Sequence, residues 1–112
     1  MRARASAVEE LEAGGPPLGV VAGIPFPDAT VTGLRAGDVV VLGTDGIWET
    51  ADGTGAMYGM DRFQHLAREH AGKGAEAISQ AIRTDTERFR GTGPQTDDVT
   101  LVVAKLDPAQ RA

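Results

Sequence analysis

Apolar residues recur every three or four positions between residues 60 and 90. This spacing predicts two amphipathic helices, divided by the Gly-Lys-Gly sequence at residues 72–74. One predicted face carries Met60, Phe63, Leu66, Ala67 and His70, and the other carries Ala75, Ile78, Ile82 and Phe89. We expect both faces to pack on the same side of a sheet.

Short apolar runs separated by Gly and Pro occupy most of the first half of the chain. The runs span residues 18–24, 29–34 and 39–42, and a further β-branched run spans residues 99–104. They predict three strands before the helices and one after them, in the order β-β-β-α-α-β. Strands followed by helices are typical of an α+β fold. Residues 7–13 have good helix propensity but run directly into glycines, so their structure stays ambiguous.

The length and composition place the chain among ordinary globular proteins. Its 112 residues fit one small domain or part of a larger one, and no internal linker divides them. No apolar run approaches the roughly 20 residues needed to span a bilayer, and no apolar signal segment follows Met1. We therefore expect a cytoplasmic protein without a membrane segment.

Charge and cysteine content restrict the possible chemistry. The formal net charge is −5, and there are only two lysines, which argues against a nucleic-acid-binding surface. The absence of cysteine excludes disulfides, thiolate metal sites and a cysteine nucleophile. The acidic residues must therefore serve either as solvated surface groups or as cation ligands.

Two aspartates lie at the predicted ends of strands. Asp45 follows the run at 39–42 and stands close to Gly43 and Gly46, while Asp97 precedes the final run. If these strands are antiparallel neighbours, both carboxylates reach the same edge of the sheet. The glycines are expected to let the chain turn and to leave space for a ligand. Paired carboxylates with room for water suit Mg²⁺ or Mn²⁺.

A purely structural interpretation of these residues also fits. Thr-Asp-Gly is a common turn sequence, and Asp97 with Asp98 can open a strand by hydrogen-bonding nearby amides. Glu49 is interpreted as a solvated or helix-start residue. His65 and His70 are five positions apart, which is not a metal-ligand spacing on a helix, so surface or packing roles are expected for both. Spacing alone favours the structural interpretation over the metal site.

Four sequence blocks occur in an order that resembles a known family. The blocks are GGPPLGV, LRAGDVVVLGTDGIWET, YGMDRF and TDDVTLVVAKL. Together they resemble the C-terminal part of the SpoIIE/RsbU-like branch of the metal-dependent, type-2C (PPM-type) protein serine/threonine phosphatases, over about residues 13–106. The resemblance implies an antiparallel β-sandwich flanked by helices. It also implies a binuclear Mn²⁺ or Mg²⁺ centre whose activated water attacks a phosphoserine or phosphothreonine.

The resemblance assigns roles to particular residues. Asp45 matches the aspartate of the family's Thr-Asp-Gly, and Asp97 matches its metal-binding aspartate in Asp-Asp/Asn-x-Thr. Both are expected to act catalytically through the metal-activated water. Gly46 and Asp98 are adjacent support, with Asp98 steadying a ligand rather than binding the metal. Two metals can supply the nucleophile, so no Ser, Cys or His is required.

One family feature has no counterpart in the chain. The family carries an earlier Gly-Asp-x-x-Gly-type segment whose aspartate bridges the metals, and no such segment precedes GGPPLGV. Residues 1–112 are therefore expected to be a single partial domain with an incomplete metal site and a polar tail at 107–112. Alone, they are expected to be inactive and to self-associate through an exposed sheet. If instead the chain is active, Glu49 is the nearest candidate for a third ligand.

The expected function is that of a bacterial signalling phosphatase. Its expected substrate is a phosphorylated protein, an anti-sigma-factor antagonist in the anti-sigma signalling that the resemblance implies. The alternative is a non-catalytic interaction module that retains part of the fold and binds a pathway protein without turning it over. The missing segment favours the alternative for this chain, whereas Asp45, Asp97 and Asp98 favour the phosphatase for its parent.

Overall fold

The computed structural model describes residues 1–4, 7–11 and 14–107. Its elements are β1 (Arg2–Arg4), β2 (Ala7–Glu9), β3 (Val39–Gly43), α1 (Met60–Glu69), α2 (Ala75–Arg90) and β4 (Leu101–Lys105). The strands form one antiparallel sheet in the order β2-β1-β3-β4. The fold is therefore α+β, as predicted, and it is a partial domain with one sheet among the described residues. Most of the predicted polar tail, residues 108–112, lies outside them.

The central strands β3 and β4 are antiparallel neighbours, which is the condition on which the expected approach of Asp45 and Asp97 rests. Five residue pairs join β3 to β4, running from Val39 opposite Lys105 to Gly43 opposite Leu101. The β4 strand begins two residues later than the run of β-branched residues predicted. This register places the chain that leaves β3 beside the chain that enters β4.

The first two predicted strands are wrong. Residues 18–24 and 29–34 form turns and irregular chain, and Leu18 is 83% exposed. Gly19 and Gly23 have φ angles of 83° and 73°, which extended strands do not adopt. Nearby prolines also remove backbone donors that a sheet needs. These apolar runs therefore resemble strands in composition but lack the continuous extended backbone that pairing requires.

The two strands that replace them lie at the start of the chain. Arg2 and Ala3 of β1 pair with Val40 and Val39, and the Val41 N–H donates to the Met1 carbonyl at 2.7 Å. Ala3 is fully buried, so its small side chain allows close packing at this edge of the core. The ambiguous segment at 7–13 contains β2 at its start, and residues 12 and 13 lie outside the described part.

Both predicted helices are confirmed, as is the Gly-Lys-Gly break between them. The Lys105 ammonium group donates to the carbonyls of Ala71 and Lys73 at 3.0 and 2.7 Å. This contact fastens the connection between α1 and α2 to β4. Among the described residues, neither helix combines the length and the hydropathy that crossing a bilayer requires.

The core lies between the sheet and the two helices. Most of its buried members come from β3, the segment after it and both helices, and they include Val39, Val41, Ile47, Phe63, Ala67, Ile78 and Ile82. Leu66 and Phe89, predicted to belong to the same faces, are only partly buried. The packing of the helices against β3 and the segment that follows it thus holds this segment in place.

A polar cluster fixes the loop between β3 and α1 onto the helices. The Tyr58 hydroxyl donates to Asp85, and the Arg62 guanidinium lies 3.1 Å from the same carboxylate. The Arg62 guanidinium also stacks 5.1 Å from the ring centroids of Tyr58 and Phe89. Burial opposes ionisation of Asp85, but the hydrogen bonds from Tyr58 and Arg62 outweigh it and lower its pKa. The loop that follows Glu49 is therefore anchored at its far end.

Candidate metal centre

Asp45 and Glu49 are brought together by a helix-like turn directly after β3. The Ile47 N–H donates to the Thr44 carbonyl at 3.1 Å, and the Glu49 N–H donates to the Asp45 carbonyl at 2.9 Å. The Thr50 hydroxyl donates to the Gly46 carbonyl at 2.8 Å. Residues four apart in such a turn lie on one side of it, so the two acidic side chains are neighbours.

Asp97 reaches the same place from the other strand. The pairing of β3 with β4 continues beyond Gly43, because the Thr44 N–H donates to the Thr100 carbonyl at 3.0 Å. In return, the Thr100 N–H donates to the Thr44 hydroxyl, also at 3.0 Å. These bonds hold the segment before β4 against the turn after β3. The residues around Asp97 are thereby set beside Asp45.

The carboxylates of Asp45, Glu49 and Asp97 form a single cluster. One oxygen from each lies within 4.8 Å of the other two, and all three residues are exposed. None of the three forms an ion pair with any residue that the structure describes. Three adjacent negative charges that form no ion pair favour a divalent cation, and an all-oxygen donor set suits Mg²⁺ or Mn²⁺. The residues present therefore fit such an ion, while metal ligation by Asp45 and Asp97 stays a prediction.

Gly46 is required by a close approach of two segments. A Cβ atom at this position would lie 2.1 Å from the carbonyl oxygen of Asp98. At Gly43, a Cβ would lie 2.8 Å from Cδ1 of Ile47. Both distances are too short for a side chain. The glycines thus make room for the protein's own backbone and core.

Asp98 contacts the cluster through its main chain. Its N–H donates to Oδ1 of Asp97 at 2.8 Å, and its carbonyl accepts from the Thr44 hydroxyl at 3.3 Å. The carboxylate of Asp98 is not part of the three-residue cluster. This geometry is compatible with the supporting role predicted for Asp98.

Glu49 belongs to the cluster, whereas the sequence interpretation treated it as a solvated or helix-start residue. Its spacing of four from Asp45 was visible in the sequence, but this spacing has meaning only if the intervening residues coil. A strand end followed by Gly46 indicated a simple turn instead. The hydrogen bond between the Glu49 N–H and the Asp45 carbonyl shows that these residues do coil.

The two histidines lie away from these acids. His65 is exposed, with Nε2 3.6 Å from a carboxylate oxygen of Glu69. Nδ1 of His70 lies 3.0 Å from the Leu66 carbonyl. The structure therefore places them at the helix surface and at a helix end, and neither joins the acidic cluster.

A cavity of about 250 Å³ opens beside the cluster. Glu49 and Asp97 form part of its wall, and the remaining lining residues are Gly46, Thr50, Met57, Arg90, Gln95 and Thr96. The cluster is thus exposed to a concave space that can admit both a hydrated cation and part of a larger ligand.

Comparison with solved structures shows two phosphatase domains of similar fold. The SiaA-PP2C domain of Pseudomonas aeruginosa is 29% identical, with a TM-score of 0.67 over 76% of this chain and 35% of that one. The phosphatase domain of the cell fate determinant SpoIIE from Bacillus subtilis (Mn presoaked) is 21% identical, with a TM-score of 0.55. That match covers 83% of this chain and 41% of the SpoIIE chain. The chain thus spans well under half the length of either domain.

A search of curated protein sequences returned no significant match. In contrast, residues 1–107 match the family described as Stage II sporulation protein E (SpoIIE). This match covers nearly the whole chain, including all three residues of the acidic cluster. The chain belongs to the SpoIIE family, and its fold is part of a PP2C-type phosphatase domain.

Proposed function

We propose that this chain is the C-terminal portion of a metal-dependent phosphoserine/phosphothreonine protein phosphatase. The observation that carries the proposal is the convergence of Asp45, Glu49 and Asp97 at one edge of the sheet. Membership of the SpoIIE family supports the same class of reaction. The proposed cofactor is Mn²⁺ or Mg²⁺, since the donor set consists of carboxylate oxygens.

The chain's own residues act mainly by holding three carboxylates in place. Asp45 and Asp97 are attached to paired strands, while Glu49 is held by the turn after β3. The Asp98 N–H orients one oxygen of Asp97. A divalent cation bound there supplies positive charge beside a phosphate and lowers the pKa of a coordinated water. Rigid placement of the three carboxylates would hold a bound cation and its water in a fixed position relative to the phosphate. No side-chain nucleophile is then required.

The proposed substrate is a phosphorylated protein, with an anti-sigma-factor antagonist as the specific candidate. This proposal rests on the similarity to SpoIIE-type phosphatases rather than on a described contact. The proposed setting is bacterial signalling in the cytoplasm. An open cavity next to the cluster is compatible with a phosphorylated side chain that projects from a protein surface.

Mn²⁺ binding by residues 1–112 tests the site directly. Because ligand charge sets the affinity of oxygen-rich sites, Glu49→Gln and Asp45→Asn are each expected to weaken Mn²⁺ binding about tenfold or more. Titration calorimetry measures this effect. The exposed Glu76, in the first turn of α2, provides a matched control, and Glu76→Gln should leave the affinity unchanged.

Two outcomes of this titration would contradict the proposal. Absence of Mn²⁺ and Mg²⁺ binding to the wild-type chain would contradict a metal centre built on these three carboxylates and would favour the non-catalytic interaction module. An equal loss of affinity in Glu76→Gln would show that general surface charge, rather than the cluster, attracts the ion. A separate assay of the same wild-type and variant chains, with a phosphoserine peptide and Mn²⁺, measures any hydrolysis by residues 1–112.

We further propose that the outer face of the sheet mediates self-association. Leu42 and Val102 are paired across β3 and β4 and are 58% and 50% exposed. Apolar cross-strand pairs of this kind form interaction surfaces. Light scattering is expected to give a mass above 11.7 kDa, and Val102→Lys should reduce it to the monomer value. A wild-type monomer at high concentration would contradict this expectation.

A further inference from the structure

Arg90, the last residue of α2, lies where two cavities meet. It lines the cavity of about 250 Å³ that also contains Glu49 and Asp97. It also lines a neighbouring cavity of about 290 Å³, whose wall includes Ile47 and Val99. The guanidinium therefore belongs to the same concave surface as two of the three clustered carboxylates.

The charge of Arg90 is poorly compensated within the protein. Its Nη1 donates to Oε1 of Gln95 at 3.5 Å, the limit of a hydrogen bond. Its Nε is buried and has no hydrogen-bond partner among the residues that the structure describes. Within the same residues, Arg90 forms no ion pair. Glu49 and Asp97 share the cavity wall but form no ion pair with Arg90, so the guanidinium keeps most of its hydrogen-bond donors available for an anionic ligand.

The helix dipole does not account for this placement. Arg88 and Arg90 both lie in the last turn of α2, where positive charge is favourable. Arg88, however, is exposed and lines neither of the two cavities. The dipole acts on both residues equally, whereas only Arg90 is partly buried beside the acidic cluster.

We propose that Arg90 binds the phosphoryl group of the substrate. Its planar guanidinium can donate two parallel hydrogen bonds to phosphate oxygens, a geometry that arginine provides and lysine does not. Glu49 and Asp97, on the same cavity wall, repel a phosphate unless a cation lies between. The cavity is thus negative where a cation binds and positive where the phosphate binds. This inference rests on the proposed phosphatase function.

The proposal predicts that replacing Arg90 weakens peptide binding without weakening Mn²⁺ binding. The probe is a short peptide carrying the phosphonate analogue of phosphoserine, titrated into residues 1–112 with and without Mn²⁺. Arg90→Met keeps most of the aliphatic stem and removes the charge, so peptide affinity in Mn²⁺ should fall about 10- to 100-fold. Mn²⁺ affinity without peptide should stay equal or increase, because a nearby positive charge has been removed. Arg90→Lys should give an intermediate peptide affinity.

Arg88→Met is the matched control, since it removes the same charge from the same helical turn. Both of its affinities should remain within about twofold of wild type. Equal peptide affinity in wild type and Arg90→Met would overturn the proposal, as would a parallel loss of Mn²⁺ and peptide affinity, which indicates a structural role. A chain that binds Mn²⁺ but not the peptide would refute only this inference. A chain that binds no Mn²⁺ would refute the proposed function as well.

Discussion

Asp97→Asn is expected to nearly abolish Mn²⁺-dependent hydrolysis of a phosphoserine peptide by the complete phosphatase domain proposed above. The substitution removes one of three negative charges at the candidate centre, and the remaining carboxylates bind a divalent cation less tightly. A cation held by these carboxylates would supply the activated water, so weaker binding is also expected to lower the rate. Steady-state assays over a range of Mn²⁺ concentrations distinguish weakened metal binding from a lower maximal rate.

Asp98→Asn is the matched comparison, because the two acids are adjacent in sequence and both are exposed. The Asp98 carboxylate lies outside the cluster, and its N–H bond to Asp97 survives the substitution. A loss of at most about 10- to 100-fold is expected, on the scale of a residue that supports a ligand. Equal losses in the two variants, or a larger one in Asp98→Asn, would reverse the assignment.

Gly46→Ala is expected to damage the fold and the metal centre together. The new Cβ would lie 2.1 Å from the Asp98 carbonyl oxygen, and this backbone atom cannot rotate away. Relief requires the segment before β4 to move away from the turn after β3. We expect a loss of about 1–3 kcal/mol in the free energy of unfolding, together with a fall of about tenfold or more in Mn²⁺ affinity.

Gly53→Ala provides the control for this change. It lies in the same loop, and a Cβ there would meet no atom within 4 Å. Urea denaturation and Mn²⁺ titration of both variants separate the steric effect from a general effect of replacing glycine. Gly46→Ala with wild-type stability and Mn²⁺ affinity would show that the two segments separate easily, contrary to the hydrogen bonds between them.

The helices could be predicted from the sequence because their signal is local. The spacing of Phe63, Ala67, Ile78 and Ile82 places these side chains on the buried faces of α1 and α2, and all four are buried. A helix satisfies its backbone hydrogen bonds within one segment, so its pattern does not depend on a distant partner. The same holds less strictly for β3 and β4, whose valine-rich runs favour extended chain.

The remaining strands could not be predicted in this way. A strand must find its hydrogen-bond partners elsewhere, and Arg2 and Ala3 become strand residues only because β3 lies beside them. Residues 18–24 are more apolar than β1 but have no neighbouring strand among the described residues. Composition cannot distinguish these cases, since β-propensity depends on context.

The features of the candidate site can be separated in the same way, into those that the sequence determined and those that required the tertiary structure. By itself, the sequence determined the two helices, the two apolar runs that become β3 and β4, and the positions of Asp45 and Asp97 at the ends of these runs, because these follow from local periodicity. Only the tertiary structure decided that Glu49 joins the two aspartates, that Gly46 makes room for the Asp98 carbonyl and that Arg90 faces the same cavity. These three features depend on how segments about 40 to 50 positions apart approach each other, and the distances involved are set by packing rather than by sequence spacing.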